Sequence, residues 1–238
     1  MTPPTSRPLI GVTVELLDAP FYKGPRRFQL FHAYMPVLRA AGAIPILIPG
    51  DATAEDVGAI LPRLDGVLMT GGDDADLRAF GGPAPTPECK PAPLEQQDMN
   101  LSLVRGAIAA GMPVLGICYG MQMIGLAYDA PFIQHLNASA DHIGGIRHTV
   151  TATPGSRLAT LLGTDAFEVP SYHHQALESA GDTLQATAWS PDGILEAIEL
   201  PGNAFTLGVQ WHPEKAPESE GSKRLFSGFV AAASDYRK

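Results

Sequence analysis

Short, wholly apolar runs alternate with longer stretches whose apolar residues recur every three or four positions, and this alternation predicts an α/β fold. PLIGVTV reads as a first buried strand. Over residues 27–41, Phe28, Phe31, Tyr34, Met35 and Leu38 recur at helical spacing and predict a helix ended by Gly42, with IPILIP following as strand two. Thr53, with Asp56 three positions on, is placed to cap a short helix, and DGVLMTGG gives strand three. Residues 82–93, proline-rich and carrying Cys89 and Lys90, predict a surface loop. A helix reaching about Ala110 leads into PVLGIC as strand four.

Beyond that point the pattern shortens. HTVTATP, TLQATAWS, ILEAIEL and AFTLGVQW are brief strand-like runs separated by turn signals such as PDG and PGN. A closing helix carries Leu225, Phe226, Phe229 and Val230 on one face. The expectation is a mostly parallel central sheet flanked by helices, with a β-rich C-terminal half. Neither a repeat nor a linker interrupts residues 1–238, so one domain is expected. Residues 106–128 hold no charge and exceed the ~20 residues of a membrane span. Gly111, Pro113, Gly116, Gly120 and Gln122 break that stretch, so strand, turn and helix are expected there instead of a span.

Composition narrows the chemistry. With 238 residues, 45% of them hydrophobic, there is ample material for a core. The formal charge of -9 argues against a nucleic-acid partner, which needs a basic face. Two cysteines, Cys89 and Cys118, make neither a disulfide framework nor a CxxC metal pair. MTPPTSRPLIGV lacks the apolar core of a signal peptide, so a reduced, cytoplasmic setting without membrane association is expected.

LGICYGMQ places Cys118 between Gly116 and Gly120, directly after an apolar strand. A nucleophile on a strand-to-helix turn needs small neighbours two residues to either side, and the helix N-terminus that follows favours thiolate. On GxCxG alone, a buried cysteine among chance glycines stays open. GVQWHPEK adds His212 and, two residues later, Glu214; in extended chain these lie on one side, so the carboxylate can hold the imidazole while its other nitrogen faces Cys118. A plain His-Pro strand end is the alternative. TGGDDAD puts Gly71 and Gly72 at the carboxyl end of strand three, where a glycine N–H can meet a substrate oxygen. The Tyr119 N–H is the natural second oxyanion donor. Asp73, Asp74 and Asp76 lack the glycine and terminal glutamate of a calcium loop, so no metal is expected there.

GICYGMQ resembles the nucleophile motif, and QWHPE the His-x-Glu motif, of the class I glutamine amidotransferase-like superfamily. SYHHQAL, SPDGILEAIEL and LGVQWHPE, with LIGVT and LDGVLMTGGD, narrow the resemblance to the gamma-glutamyl-gamma-aminobutyrate hydrolase family. These matches run in chain order from about Leu9 to the final helix. The resemblance implies a class I glutamine amidotransferase-like (flavodoxin-like) fold, with Cys118 as nucleophile, His212 as general base and acid, and Glu214 as its partner. It implies a γ-glutamyl thioester formed from a small-molecule γ-glutamyl amide, with neither metal nor organic cofactor. It also implies that Gln122 helps hold the glutamyl group and that His173, His174 and Gln175 of the HHQ stretch line or support the pocket. His148 in IRHTV is expected near the substrate, because the corresponding segment lies there in relatives. His142 has no assigned role, and Cys89 reads as a bystander.

The departures bear on substrate. Tyr119 stands where the family often has arginine, and its frequent Arg-Asp pair falls on Gln96 and Gln97, with Asp98 one residue late. Pro170 replaces an expected asparagine, and LAYDAPFIQHL replaces a Gly-Gly segment. The leading reading is a stand-alone hydrolase in nitrogen or polyamine catabolism, with self-association as a homodimer allowed for. The alternatives are a glutaminase subunit feeding ammonia to a synthetase partner, and a catalytically silent binding protein on the same fold. An α/β-hydrolase is set aside, since that fold places its acid well before the histidine.

Overall fold

The computed structural model describes residues 7–137, 141–202 and 205–237. The N-terminal half contains Leu9–Thr13 (β1), Glu15–Leu17 (β2), Arg27–Gln29 (β3), Tyr34–Ala40 (α1), Ile44–Ile48 (β4), Ala54–Ile60 (α2), Gly66–Met69 (β5), Leu94–Ala109 (α3), Val114–Ile117 (β6) and Tyr119–Ala127 (α4). Then follow Phe132–Ile133 (β7), Ile146–Ala152 (β8), Arg157–Leu162 (α5), Phe167–Ser171 (β9), Ala176–Leu177 (β10), Gln185–Trp189 (β11), Leu195–Glu199 (β12), Thr206–Val209 (β13) and Glu220–Tyr236 (α6).

Strands β5 and β6 are buried along their whole length, as expected of parallel strands covered on both faces. The nine-stranded sheet runs β4, β1, β5, β6, β13, β12, β11, β8, β9. The first five are mutually parallel; from β12 onward every pairing is antiparallel. The central part of the sheet is thus parallel as expected, with β13 from the β-rich C-terminal half joining it and the other C-terminal strands extending the sheet antiparallel.

Alternation along each strand feeds two cores. Val67 and Met69 point to the face covered by α2, α3 and α4, where Val57, Leu103 and Ile124 are buried. Leu68 between them points to the face covered by α1, α5 and α6, with Leu38, Leu158 and Phe229. The closing helix buries Leu225, Phe226, Phe229 and Val230 as its spacing requires, and each such side chain contributes roughly 1.5–3 kcal/mol. Thr53 and Asp56 form a reciprocal capping box on α2, and Gly42 adopts φ 98° just past α1.

Two expectations change. The helix expected over residues 27–41 is confined to Tyr34–Ala40, because Arg27–Gln29 instead pairs antiparallel with Glu15–Leu17. Phe28 and Phe31, which supplied the apparent helical period, are exposed. Residues 82–93 are not wholly surface: Cys89 and Ala92 are buried under the Asp74 segment, whose N–H donates to the Lys90 carbonyl. Asn203 and Ala204, from the expected PGN turn and final strand run, lie outside the described residues, as does the chain before Arg7. Among the described residues no helix is long and apolar enough to cross a membrane.

Phe229 has no exposed surface and anchors α6 to the sheet. Phe229→Ala is expected to lower unfolding free energy by about 3–5 kcal/mol in a urea titration; a loss below about 1 kcal/mol would contradict this packing.

Candidate active site

Parallel register carries the ends of β1, β5, β6 and β13 to one edge of the sheet, and the segments after them form the site. β6 and β13 pair from Thr206 with Val114 to Val209 with Ile117, so the residues following both strands emerge side by side. Cys118 follows β6 with φ 51° and ψ −108°, outside the basin that an L-residue prefers. Such backbone costs of order 1–3 kcal/mol and must be held by its surroundings. The Cys118 N–H donates to the Val209 carbonyl at 2.8 Å, and the Cys118 carbonyl accepts from the Gln122 N–H at 3.0 Å. A Cβ on Gly116 would lie 2.7 Å from the Gly120 carbonyl, and one on Gly120 would collide with the Met69 carbonyl oxygen. The two flanking glycines are therefore required by close approach of β5, β6 and α4.

His212 follows β13, its N–H donating to the Pro170 carbonyl at 3.2 Å. Its Nδ1 lies 2.6 Å from Glu214 Oε1, and Glu214 is almost completely buried. Burial opposes a charged ring, but the charges of Cys118 and Glu214 outweigh it and lift His212 from 6.5 to about 9. A protonated imidazole beside Cys118 is what this balance favours at neutral pH. Tyr172 packs edge-on against the ring at 5.4 Å, and Gln210 Nε2 donates to Cys118 Sγ at 3.5 Å.

Among the described residues no acceptor takes the N–H of Gly72 or of Tyr119, leaving both free to donate. Gly71 differs, since its N–H donates to Tyr34 Oη at 2.9 Å. Its lack of a side chain serves His212 instead: a Cβ there would sit 2.7 Å from the ring.

The matched regions agree with this geometry. The model of the Peptidase C26 family matches residues 8–214, which include Cys118, His212 and Glu214. The chain belongs to the peptidase C26 family. It is 38% identical to "Putative glutamine amidotransferase Rv2859c" of Mycobacterium tuberculosis, over 97% of this chain and 76% of that one. It is 28% identical to gamma-glutamyl-gamma-aminobutyrate hydrolase PuuD of Escherichia coli K12, over 95% and 94%. A "putative gmp synthase subunit a protein" of Thermoplasma acidophilum shares the fold with TM-score 0.68 at 20% identity, covering 98% of this chain and 96% of that one. The sheet is thus that of the class I glutamine amidotransferase-like proteins, and family membership makes hydrolysis the coarse class of chemistry.

Other expected C26 site residues fall into two groups. Gln122 and Gln175 form a wall behind Cys118. Gln122 Nε2 donates to the Gln175 carbonyl at 3.1 Å and to Gln210 Oε1 at 3.2 Å; Gln175 Oε1 accepts from the Ala75 N–H at 2.9 Å. His148 and His173 instead direct ring nitrogens at Glu196, together with His142. His174 Nε2 pairs with Asp74 at 3.0 Å. Gln96 accepts from the Leu16 N–H and Gln97 from the Asp76 N–H, fixing two segments at the mouth, while Asp98 is exposed. Cys89 takes a hydrogen bond from Gln175 Nε2 at 3.4 Å.

Sequence reading missed Glu15, Tyr34, Gln210 and Lys215. Glu15 follows β1 at the same edge, against Gly72, and senses the His212 charge. Lys215 Nζ lies 3.3 Å from the Tyr172 ring centre. Burial lowers its pKa while the charges of Glu214 and Cys118 oppose that fall. The position of Glu15 at a strand's carboxyl end was the available signal, since α/β sites gather there.

Burial, then Asp73, raise Glu15 from 4.5 to about 7, with the His212 charge opposing. A raised carboxyl loses stability as pH climbs, because the unfolded chain releases its proton first: the loss begins near 4.5 and is complete above about 7. Glu15→Gln should therefore stabilise the fold at pH 8 by up to roughly 3 kcal/mol, and much less at pH 4. Urea unfolding at both pH values tests this; an equal effect at both would contradict the assignment.

Proposed function

We infer that the chain is a cysteine-dependent hydrolase of γ-glutamyl amides. The observation that carries this reading is Cys118 on its positive-φ turn beside His212, whose Nδ1 is 2.6 Å from Glu214. The Cys118 thiolate attacks the γ-carbonyl carbon, and the carbonyl oxygen takes the negative charge, accepting from the Gly72 and Tyr119 N–H groups. Collapse breaks the C–N bond, with the imidazolium of His212 giving its proton to the leaving amine. His212, now neutral, takes a proton from water as that water attacks the γ-glutamyl thioester. The C–S bond breaks, and glutamate leaves with Cys118 restored. Glu214 holds the tautomer and stabilises the imidazolium throughout.

The acyl half of such a substrate carries an α-ammonium and an α-carboxylate. Glu15 and Asp73 offer acceptors to the first and Lys215 a charge to the second, all within electrostatic reach of the nucleophile's surroundings. A hollow of about 420 Å³ is lined in part by Leu16, the residue after Glu15, and by Asp18, Phe21, Tyr22, Asp73 and Arg78. Its carboxylates and aromatic rings, with Arg78 among them, support an amine leaving group and so a setting in polyamine or other nitrogen catabolism. The name of the Escherichia coli relative supports a γ-glutamyl-aminobutyrate type of substrate, and that of the Mycobacterium tuberculosis relative supports the second reading, a glutaminase that supplies ammonia to a synthetase.

Purified protein alone should release glutamate from at least one member of a panel of glutamine, γ-glutamyl-aminobutyrate, γ-glutamyl polyamines and γ-glutamyl aromatic amines. Cys118→Ala should lose at least about 10⁴-fold in kcat while remaining folded. The alkaline limb of kcat/KM should fall near pH 9, where His212 loses its proton. Turnover confined to glutamine in the presence of a synthetase would favour the second reading, and appreciable turnover by Cys118→Ala would sink the thioester mechanism.

A further inference from the structure

Behind the nucleophile, three imidazoles converge on one carboxylate that the reaction does not use. Glu196 on β12 is completely buried, and among the described residues neither of its carboxylate oxygens has a hydrogen bond. Around its Oε1 stand His148 Nε2 at 3.1 Å, His173 Nε2 at 3.5 Å and His142 Nδ1 at 3.7 Å. Among the described residues none of these three nitrogens has a hydrogen-bond partner of its own.

Tautomers decide what this means. His142 Nε2 lies 2.8 Å from Asp192 Oδ2, so the proton belongs on Nε2 and Nδ1 is left as a bare lone pair. His173 Nδ1 lies 3.0 Å from the Gln175 carbonyl, which can only accept, so Nδ1 carries the proton and Nε2 is bare. Two lone pairs therefore face a buried carboxylate across 3.5 and 3.7 Å, an arrangement that repels unless a positive charge lies between them. The spacing suits a metal ion. Ligand bonds of about 2.0–2.1 Å in a tetrahedron put neighbouring donors about 3.3 Å apart, and the three contacts to Glu196 bracket that value. Donor atoms of His142, His148 and Glu196 all lie within 4.8 Å of one another.

We propose that His142, His148 and Glu196 form a buried site for a divalent transition-metal ion of the zinc class, with His173 Nε2 facing the same carboxylate from beside it. Imidazole-rich donors select zinc-like ions over magnesium or calcium. Asp192 supplies the outer carboxylate that orients a ligating histidine, and is itself fixed by Ser190 Oγ at 2.5 Å. His148, the one partly exposed ring, marks the way in. The site is structural. It ties the segment before β8, β8 itself, β12 and the HHQ stretch into one unit. The Glu196 carbonyl also accepts from the N–H of Gln210, which in turn bonds the Cys118 sulfur.

The test is zinc uptake by full-length protein stripped with a chelator, read by elemental analysis and by thermal unfolding with and without zinc. Wild type and Cys118→Ala should each take up one zinc ion per chain and unfold at a higher temperature with it. His148→Ala, at the least buried of the three rings, should weaken binding by more than the roughly 10–100-fold that loss of an outer partner such as Asp192 costs, with the unfolding trace of the metal-free variant showing that it is folded. Cobalt(II) in the wild type should give tetrahedral visible bands without a thiolate charge-transfer band. Two results would overturn the proposal. One is absence of uptake by wild type, which would mean that protons neutralise the cluster. The other is uptake kept by His148→Ala but lost in Cys118→Ala, which would move the metal to the catalytic thiol.

Discussion

The constraint on which the site rests is the approach of α4 to the sheet at Cys118. That residue can hold φ 51° only because its own N–H is tied to β13 and because no side chain intervenes at Gly116 or Gly120. The same tie fixes where His212 emerges, since β13 is both the strand that receives the Cys118 N–H and the strand that delivers the imidazole. Strain at Cys118 and placement of the His212 ring are thus one structural fact. Gly71 extends it, since the bare α-carbon there leaves room for the His212 ring.

The electrostatics follow from that packing. A buried imidazole would ordinarily be neutral, yet the neighbouring Cys118 and Glu214 charges raise His212 to about 9. Glu15 is also raised, toward about 7, but for the opposite reason, because burial and Asp73 disfavour its charge. One edge of the sheet therefore holds a cation stabilised by its neighbours and a carboxyl poised near neutrality. Maintaining that carboxyl costs stability, as functional sites commonly do.

Much of this was legible in the chain because the decisive signals are local. GICYG states its own steric requirement within five residues, and WHPE carries His212 and Glu214 two positions apart. The parallel strands were readable because burial on both faces leaves unbroken apolar runs such as VLGI. What escaped depends on tertiary pairing. Phe28 and Phe31 fit a helical period, yet they flank or lie in a strand completed by Glu15–Leu17, so the period was a coincidence of spacing. Tyr34 occupied an ordinary apolar position in its helix while its hydroxyl reaches Gly71. The ring nitrogens of His148 and His173, expected at the substrate, turn to Glu196, a residue that local pattern marks only as one polar position in a strand.

The proposed mechanism requires a covalent γ-glutamyl intermediate at Cys118, which acid-quenched intact-mass analysis during turnover of a γ-glutamyl amide would detect. One glutamyl group should be added to the wild-type chain, lie on the peptide containing Cys118, and be absent from Cys118→Ala. Steady turnover with the adduct on another residue, or with an adduct of equal yield in Cys118→Ala, would contradict the account.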